Sequence, residues 1–292
     1  MASPHPIHDY IAGALGGAAG LVVGHPFDTV KVQQQVRQTS SPYKGIFDAL
    51  RNVNRQGMVR GYFRGLAFPL ASYGITNSLF FGAYGNTIRW LCGMDHKPTY
   101  SDIFIAGCVG GVAQLTVACP ADVVKVVMQA QIPKAGETGK MQNSAVKCFI
   151  EIFQSRGLKG TFRGLNTQAA RDIPASGIYI MMYEFLRDNL KDMWWNDKNE
   201  YLACLASGGL AGAISWVTLM PVDVIKSIIQ ADALKKSGGA ESYMSCAKDL
   251  YEKRGLKGFF TGMSATSVRA FPVNAVTFLV YEEYLKYAGL AR

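Results

Sequence analysis

Three short stretches of this sequence set a proline, an acid, a base and a carboxamide at one fixed spacing: "PFDTVKVQQQ" (Pro26 to Gln35), "PADVVKVVMQ" (Pro120 to Gln129) and "PVDVIKSIIQ" (Pro221 to Gln230). Acid and base three residues apart share a helix face, so each stretch offers both signs of charge at one level. The chemistry this permits is a ring of ion pairs in which the acid of one stretch meets the lysine of the next: Asp28 with Lys125, Asp122 with Lys226, Asp223 with Lys31. Gln35, Gln129 and Gln230 stand one helical turn beyond the lysines, placed to brace those pairs by hydrogen bonds. Pro26, Pro120 and Pro221 lack an amide donor and crowd the preceding turn, so three helices are expected to kink at one height. A lone pair of this kind on a surface helix would be a solvated contact worth ~0.5 kcal/mol or less. Three in register, each closing a glycine-rich apolar run, read as a gate.

A second set of charges lies in the helices between these motifs. "LNTQAARDIPASGIYIMMYE" (Leu165 to Glu184) aligns with "MSATSVRAFPVNAVTFLVYE" (Met263 to Glu282) and with "LAFPLASYGITNSLFFGAYG" (Leu66 to Gly85). Arg171 and Arg269 occupy one register, three residues before Pro174 and Pro272, and Ser72 holds that place in the first copy. An arginine inside an apolar helix is expensive unless it faces a polar cavity, which makes it a binding candidate; pairing with Asp172 or backbone carbonyls is the structural alternative. A guanidinium suits a carboxylate and Asp172 suits an ammonium, so Arg171, Asp172 and Arg269 could hold both ends of an amino-acid-like zwitterion. Ser72, Tyr73, Asn77 and Tyr179 complete the candidate lining, with Tyr73, Tyr179 and Trp216 able to cradle an alkylated cation or simply to pack.

The elements that must position these groups repeat three times. "GYFRG" (Gly61 to Gly65), "GTFRG" (Gly160 to Gly164) and "GFFTG" (Gly258 to Gly262) follow the three motifs, and a tyrosine stands 19 residues after each last glycine, at Tyr84, Tyr183 and Tyr281. The repeats are expected over residues 1–96, 97–197 and 198–292. Before the prolines, Gly13 and Gly17, Gly107 and Gly111, and Gly208 and Gly212 form small-xxx-small faces that let membrane helices approach closely.

Only 17% of the 292 residues are charged, against about 25% in ordinary soluble domains, and 49% are hydrophobic. Leu66–Ile88 and Tyr201–Val222 are uncharged for the length a spanning helix needs, and Ile103–Ala121 nearly so. Ile11–Phe27 is shorter, and the runs after Arg171-Asp172 and after Arg269 are shorter still. Two spans per repeat predict an all-α membrane protein of six helices in a pseudo-threefold bundle, with short helices between them and both termini on one side. The net charge of +9 resides in the connecting segments, at +5 for Val36–Gly65, +4 for Ala130–Gly164 and +2 for Ala231–Gly262. Basic segments beside spans face anionic headgroups, so no nucleic-acid partner is expected. Cys92, Cys108, Cys119, Cys148, Cys204 and Cys246 form no CxxC pair and read as reduced core residues. The four histidines lack metal-ligand spacing and there is no GxxxxGK loop, so neither a cofactor nor an enzyme activity is expected. The start, "MASPHPIHDY", carries no basic or Arg-rich leader, which places targeting within the chain.

These motifs resemble those of the mitochondrial solute carriers (solute carrier 25 family), whose threefold repeats carry P-x-[DE]-x-x-[KR]-x-[KR] and then a glycine-rich element ending in [KR]-G. The resemblance covers essentially the whole chain. It implies a monomeric carrier in the inner mitochondrial membrane, alternating access to a central cavity, a matrix gate at the three motifs, and termini towards the intermembrane space. It also implies cardiolipin at the helix starts beside Gly65, Gly164 and Gly262, where backbone donors and the helix dipole favour phosphate. This chain departs from the pattern at Gln33, Val127 and Ile228, which replace the second cation of the motif, and at Thr261, which replaces the cation before Gly262. The family's opposite gate, [FY]-[DE]-x-x-[KR], is matched by Tyr183, Glu184 and Arg187; Glu282 is followed by Lys286 one place late, and Gly85 stands where an acid belongs. A weak outer gate and a resting state open to the intermembrane space follow. "RAFPVNAVTFLVYE" (Arg269 to Glu282) resembles the carnitine/acylcarnitine and ornithine branch and a neighbouring vertebrate subgroup of choline-like and methylated amino-acid carriers. The implied cargo is a carnitine, choline, basic or methylated amino-acid type solute; a nucleotide or cofactor carrier, a proton leak and a non-transporting scaffold are the alternatives.

Overall fold

The first two repeats each fold as a long helix, a short helix and a second long helix, and the described part of the third gives the end of a first helix, a short helix and a long one. The computed structural model of the chain describes residues 6–36, 43–93, 97–133, 144–193, 219–234 and 243–289. The helices are α1 (Pro6–Val36), α2 (Ile46–Asn54), α3 (Ala67–Cys92), α4 (Tyr100–Ala130), α5 (Ala145–Thr161), α6 (Leu165–Met193), α7 (219–231), α8 (Tyr243–Arg254) and α9 (Met263–Tyr287). Most of the Tyr201–Val222 span, with Gly208, Gly212 and Trp216, lies outside the described residues.

Local chemistry sets the helix ends. Thr99 caps α4 through a reciprocal box, its hydroxyl accepting from the Asp102 amide while Asp102 Oδ2 accepts from the Thr99 amide at 2.9 Å. Ser144 caps α5 by accepting from the Lys147 amide. α1 and α4 run on through Pro26 and Pro120 as continuous helices.

With 25 to 31 residues, α1, α3, α4, α6 and α9 are long enough to cross a hydrocarbon core. Among the described residues only α4 is also apolar enough by hydropathy. Leu66–Ile88 is uncharged as expected, yet its Ser, Tyr, Thr and Asn residues lower its hydropathy; α6 and α9 carry Arg171, Asp172 and Arg269. Outward, the bundle bares Trp90, Val112, Phe271 and Leu279, each more than half exposed, a surface that suits lipid and not water.

Three apolar cores sit at the motif end, one per repeat. Val30 packs with Ala49 and Val53; Val123, Val124 and Val127 with Cys148 and Ile152; Ile225 and Ile229 with Cys246. Each joins the lower half of a motif helix to its short helix and so fixes the height of the three motifs.

Glycines set the helix contacts. A Cβ on Gly107 would lie 2.8 Å from Gly177 Cα, so α4 meets α6 backbone to backbone, and on Gly110 it would strike Phe80 of α3. In the first repeat the close face differs from expectation. Gly16, Gly20 and Gly24 of α1 receive Thr277, Val273 and Arg269 of α9, whereas Gly13 has no neighbour within 4 Å and Gly17 lies under the Tyr73 hydroxyl.

Candidate functional site

The three motifs meet. Lys125 Nζ lies 2.7 Å from Asp28 Oδ2, Lys226 Nζ 2.7 Å from Asp122 Oδ2, and Lys31 Nζ 2.7 Å from Asp223 Oδ2. Each bond joins one repeat to the next, so together they form a closed cyclic ring. All six side chains are largely withdrawn from solvent, where a matched pair is stable but removing one partner typically costs about 3–5 kcal/mol.

The glutamines act less uniformly than the repeat suggests. Gln35 Nε2 donates to Asp223 Oδ2 (3.2 Å) and to the Thr261 carbonyl (3.3 Å), bracing its pair directly. Gln230 Nε2 donates to Gln168 Oε1 (2.8 Å), and Gln168 Nε2 in turn donates to Asp122 Oδ2 (3.0 Å), so its brace passes through a second amide. Gln129 does not reach the Asp28–Lys125 pair, contrary to the spacing argument. Its amide donates to Thr29 Oγ1 (2.8 Å) and lies 3.3 Å from His25 Nε2. His25 and Thr29 offer polar partners there, whereas the equivalent places hold Cys119 and Val123 in the second repeat and Met220 and Val224 in the third.

The two arginines turn towards the ring. Arg171 Nη1 forms a very short contact with Asp223 Oδ1, and its Nε lies 2.5 Å from Asp172 Oδ1. Arg269 Nε is 3.0 Å from Asp28 Oδ1, an ion-pair distance, with the N–H turned off the line to that oxygen. Of the expected lining, Arg171, Asp172, Asn77 and Tyr179 surround a cavity of about 320 Å³ between α3, α4, α6 and α7, with Asp223 also in its wall. Arg269, Ser72 and Tyr73 do not line it: Arg269 is over Gly24, Ser72 Oγ donates to the Pro69 carbonyl (3.3 Å), and Tyr73 fills the space at Gly17. The wall thus brings one arginine and two aspartates, where two arginines and one aspartate had been expected; Asp223 is shared with Lys31, so the local charges balance, which suits a solute carrying both signs.

Gln114 and Ser176 also line this cavity, joined by a 3.4 Å hydrogen bond, and sequence reasoning passed over both. Gln114 is the one carboxamide within the Ile103–Ala121 run, which was the available signal. Gln168 stands three residues before Arg171 on the same face, an equally readable one.

Gly65, Gly164 and Gly262 take positive φ (80°, 74° and 89°) at the starts of α3, α6 and α9 and press on the next motif helix, at Lys125, Ile229 and Lys31 respectively. The arginines before the first two are turned inward. Arg64 Nε donates to the Met128 carbonyl (2.8 Å) and Arg163 Nε to the Ile229 carbonyl (3.1 Å), capping the ends of α4 and α7. Arg64 is only 6% exposed, so lipid phosphate at this level would meet backbone amides and not that guanidinium. At the opposite end Lys286 Nζ is 2.7 Å from Glu283 Oε1 on its own helix. Tyr183 and Glu184 lie on α6 four and three residues before Arg187, whose side chain, like that of Glu282, lies outside those described. His8 Nδ1 and the Tyr284 hydroxyl (3.1 Å) tie α1 to α9, and the Tyr100 hydroxyl donates to Asp188 (3.4 Å) between α4 and α6.

The threefold order of the chain agrees with the comparisons with known proteins. The family model described as mitochondrial carrier protein matches three times, over residues 2–95, 96–194 and 197–290. Solute carrier family 25 member 45 of Mus musculus is 41% identical, covering 96% of this chain and 99% of that protein. The mitochondrial basic amino acids transporter of Rattus norvegicus is 35% identical (96% and 89%), and solute carrier family 25 member 48 of Bos taurus 36% identical (94% and 94%). The chain belongs to the mitochondrial carrier family and is a multi-pass solute transporter of the mitochondrial inner membrane.

Proposed function

We propose that this carrier moves a small amino-acid-like or quaternary-ammonium solute with a cationic end, by alternating access through the cavity at Arg171 and Asp172. The observation that carries this reading is the cavity wall itself, with Arg171 set between Asp172 and Asp223 in a space of about 320 Å³. Such a wall takes a carboxylate at the guanidinium and an ammonium at the acids. Tyr179 and Phe81 add aromatic faces for an alkylated cation. A nucleotide would bring several phosphate charges to a site with one arginine and two aspartates, which disfavours it. The likeness to a mitochondrial basic amino acids transporter supports the cationic class.

In this reading the Asp–Lys ring is the matrix gate, opened and closed about Pro26, Pro120 and Pro221. Gln35 and, through Gln168, Gln230 stabilise its closed form, while Gln129 ties α4 to α1. Tyr183, Glu184, Arg187, Glu282 and Lys286 form the opposing gate. Cardiolipin binds the helix starts at Gly65, Gly164 and Gly262, and the carrier works as a monomer of three repeats, without nucleic-acid partner or enzymatic step.

The test is uptake by purified protein in cardiolipin-containing liposomes against choline, carnitine, methylated lysines, ornithine and nucleotides. Saturable uptake of a cationic member is expected, and it should fall at least tenfold with Arg171→Ala or Asp172→Asn. Unchanged kinetics in those variants, once shown to be folded, would refute the assignment, and a saturable nucleotide in place of the cations would replace it. Absence of saturable uptake would leave a proton leak or a scaffold.

A further inference from the structure

Two of the three gate aspartates have both carboxylate oxygens engaged by cations, and the third does not. Asp28 gives Oδ2 to Lys125 and Oδ1 to Arg269. Asp223 gives Oδ2 to Lys31 and Oδ1 to Arg171. Asp122 gives Oδ2 to Lys226, and the same oxygen accepts from Gln168, while Oδ1 has no partner among the described residues. Its side chain is 30% exposed, against 16% for Asp28 and 5% for Asp223. The cause is legible in the repeat. Arg171 of the second repeat reaches the aspartate of the third, and Arg269 of the third reaches that of the first. Position 72 of the first repeat should reach Asp122, but it is a serine whose hydroxyl is spent on Pro69.

We propose that Asp122 Oδ1 is a cation seat, a specificity-determining contact that the ammonium or guanidinium end of the transported solute occupies in the place an arginine fills in the other two repeats. The proposal rests on the reading of a cationic solute above. A carboxylate whose second oxygen is left open beside an ion pair can still accept a hydrogen bond or a second cation there, as Asp28 and Asp223 do, and in a region walled by protein and lipid a mobile cation is the group that fits it. Arg171 faces the neighbouring Asp223, so a solute whose anionic end meets Arg171 and whose cationic end meets Asp122 spans the second and third motifs. Anionic solutes gain nothing at this seat, so it selects by charge as well as by shape.

The experiment places the missing arginine. Ser72→Arg is expected to fill the seat: the reconstituted variant shows a KM for choline or ornithine raised at least tenfold and loses the thermal stabilisation those solutes give wild-type protein, while its own unfolding temperature is not lowered. Running choline beside ornithine separates a quaternary cation from one that donates N–H bonds. Ser72→Lys, shorter and equally charged, gives the same loss if the longer side chain impairs folding, and Asp122→Asn, which keeps the shape and removes the charge, must weaken solute-dependent stabilisation as well. Wild-type KM and stabilisation in a folded Ser72→Arg or Ser72→Lys, or in Asp122→Asn, overturns the seat and leaves the proposed function standing. Failure of wild-type protein to take up any cation removes both.

Discussion

At the residue scale, spacing made the three Asp–Lys pairs legible, because P-x-D-x-x-K puts both charges on one face and a threefold ring can match the acid of one repeat with the lysine of the next. It could not assign Gln129, whose partners depend on His25 and Thr29 lying across the interface, nor show that Arg269 faces Asp28 and not the cavity. Cys119, Cys148 and Cys246 are buried as composition suggested, whereas Cys92 and Cys108 are half-buried and Cys204 lies outside the described residues. Burial pushes the Cys148 and Cys246 thiols up to about 11. A thiol whose folded value is raised contributes stability below its unfolded value near 9, and that contribution is lost as pH rises from there towards 11. Both residues, on the short helices and outside the spans, should therefore resist maleimide at pH 7 in folded protein and label fully once it is denatured. Mass spectrometry of the modified protein checks this, and rapid labelling of either thiol in the native state would contradict it.

At the element scale, the repeat predicted the helices and their order, but which face of α1 packs on α9 was not readable. Gly13 and Gly17 fit the small-xxx-small pattern as well as Gly16, Gly20 and Gly24 do, and only the packed bundle chooses between them. The same packing ranks two experiments. Gly65 has positive φ, and a Cβ there would lie 3.1 Å from the Lys125 carbonyl oxygen, which is backbone and cannot yield; at Gly164 the nearest atom, at 3.2 Å, belongs to the flexible Gln230 side chain. Gly65→Ala should therefore lower the unfolding temperature more than Gly164→Ala, each beginning from about 1–2 kcal/mol for the left-handed backbone. A thermal melt of the two variants decides the order. Exchange of charges is also unequal around the ring. Asp28→Lys with Lys125→Asp sets a lysine beside Arg269, whereas Asp122→Lys with Lys226→Asp meets no arginine contact. Uptake should recover more fully in the second double variant than in the first, relative to their single changes, and equal recovery would argue against the arginine contact.

At the scale of the whole molecule, the pseudo-threefold bundle is not a symmetric gate. Between the first and second repeats lies a buried polar network: Gln33 donates to the Gln129 carbonyl (2.5 Å), Asn52 to the Pro133 carbonyl (3.0 Å), Arg64 Nε to the Met128 carbonyl (2.8 Å), and Gln129 Nε2 to Thr29 Oγ1 (2.8 Å). Tyr43 links Gln33 to Asn52 within it. Opening this interface would leave many buried donors unmatched at about 1–3 kcal/mol each. Among the described residues the third repeat holds the first by fewer bonds of this kind, because Thr261 stands where an arginine would cap α1 and Gln35 supplies the donor in its place. The first two repeats should therefore move as one body at the motif end, with the third parting from both, on the side where Asp122 and Lys226 form the ring's least engaged pair. In protein lacking other reactive cysteines, a short bis-methanethiosulfonate cross-linker between Thr29→Cys and Gln129→Cys should leave most uptake intact, while one between Gln35→Cys and Thr261→Cys should abolish it. Loss of uptake in both would mean that all three interfaces open together, and loss in the first alone would reverse the assignment of the moving repeat.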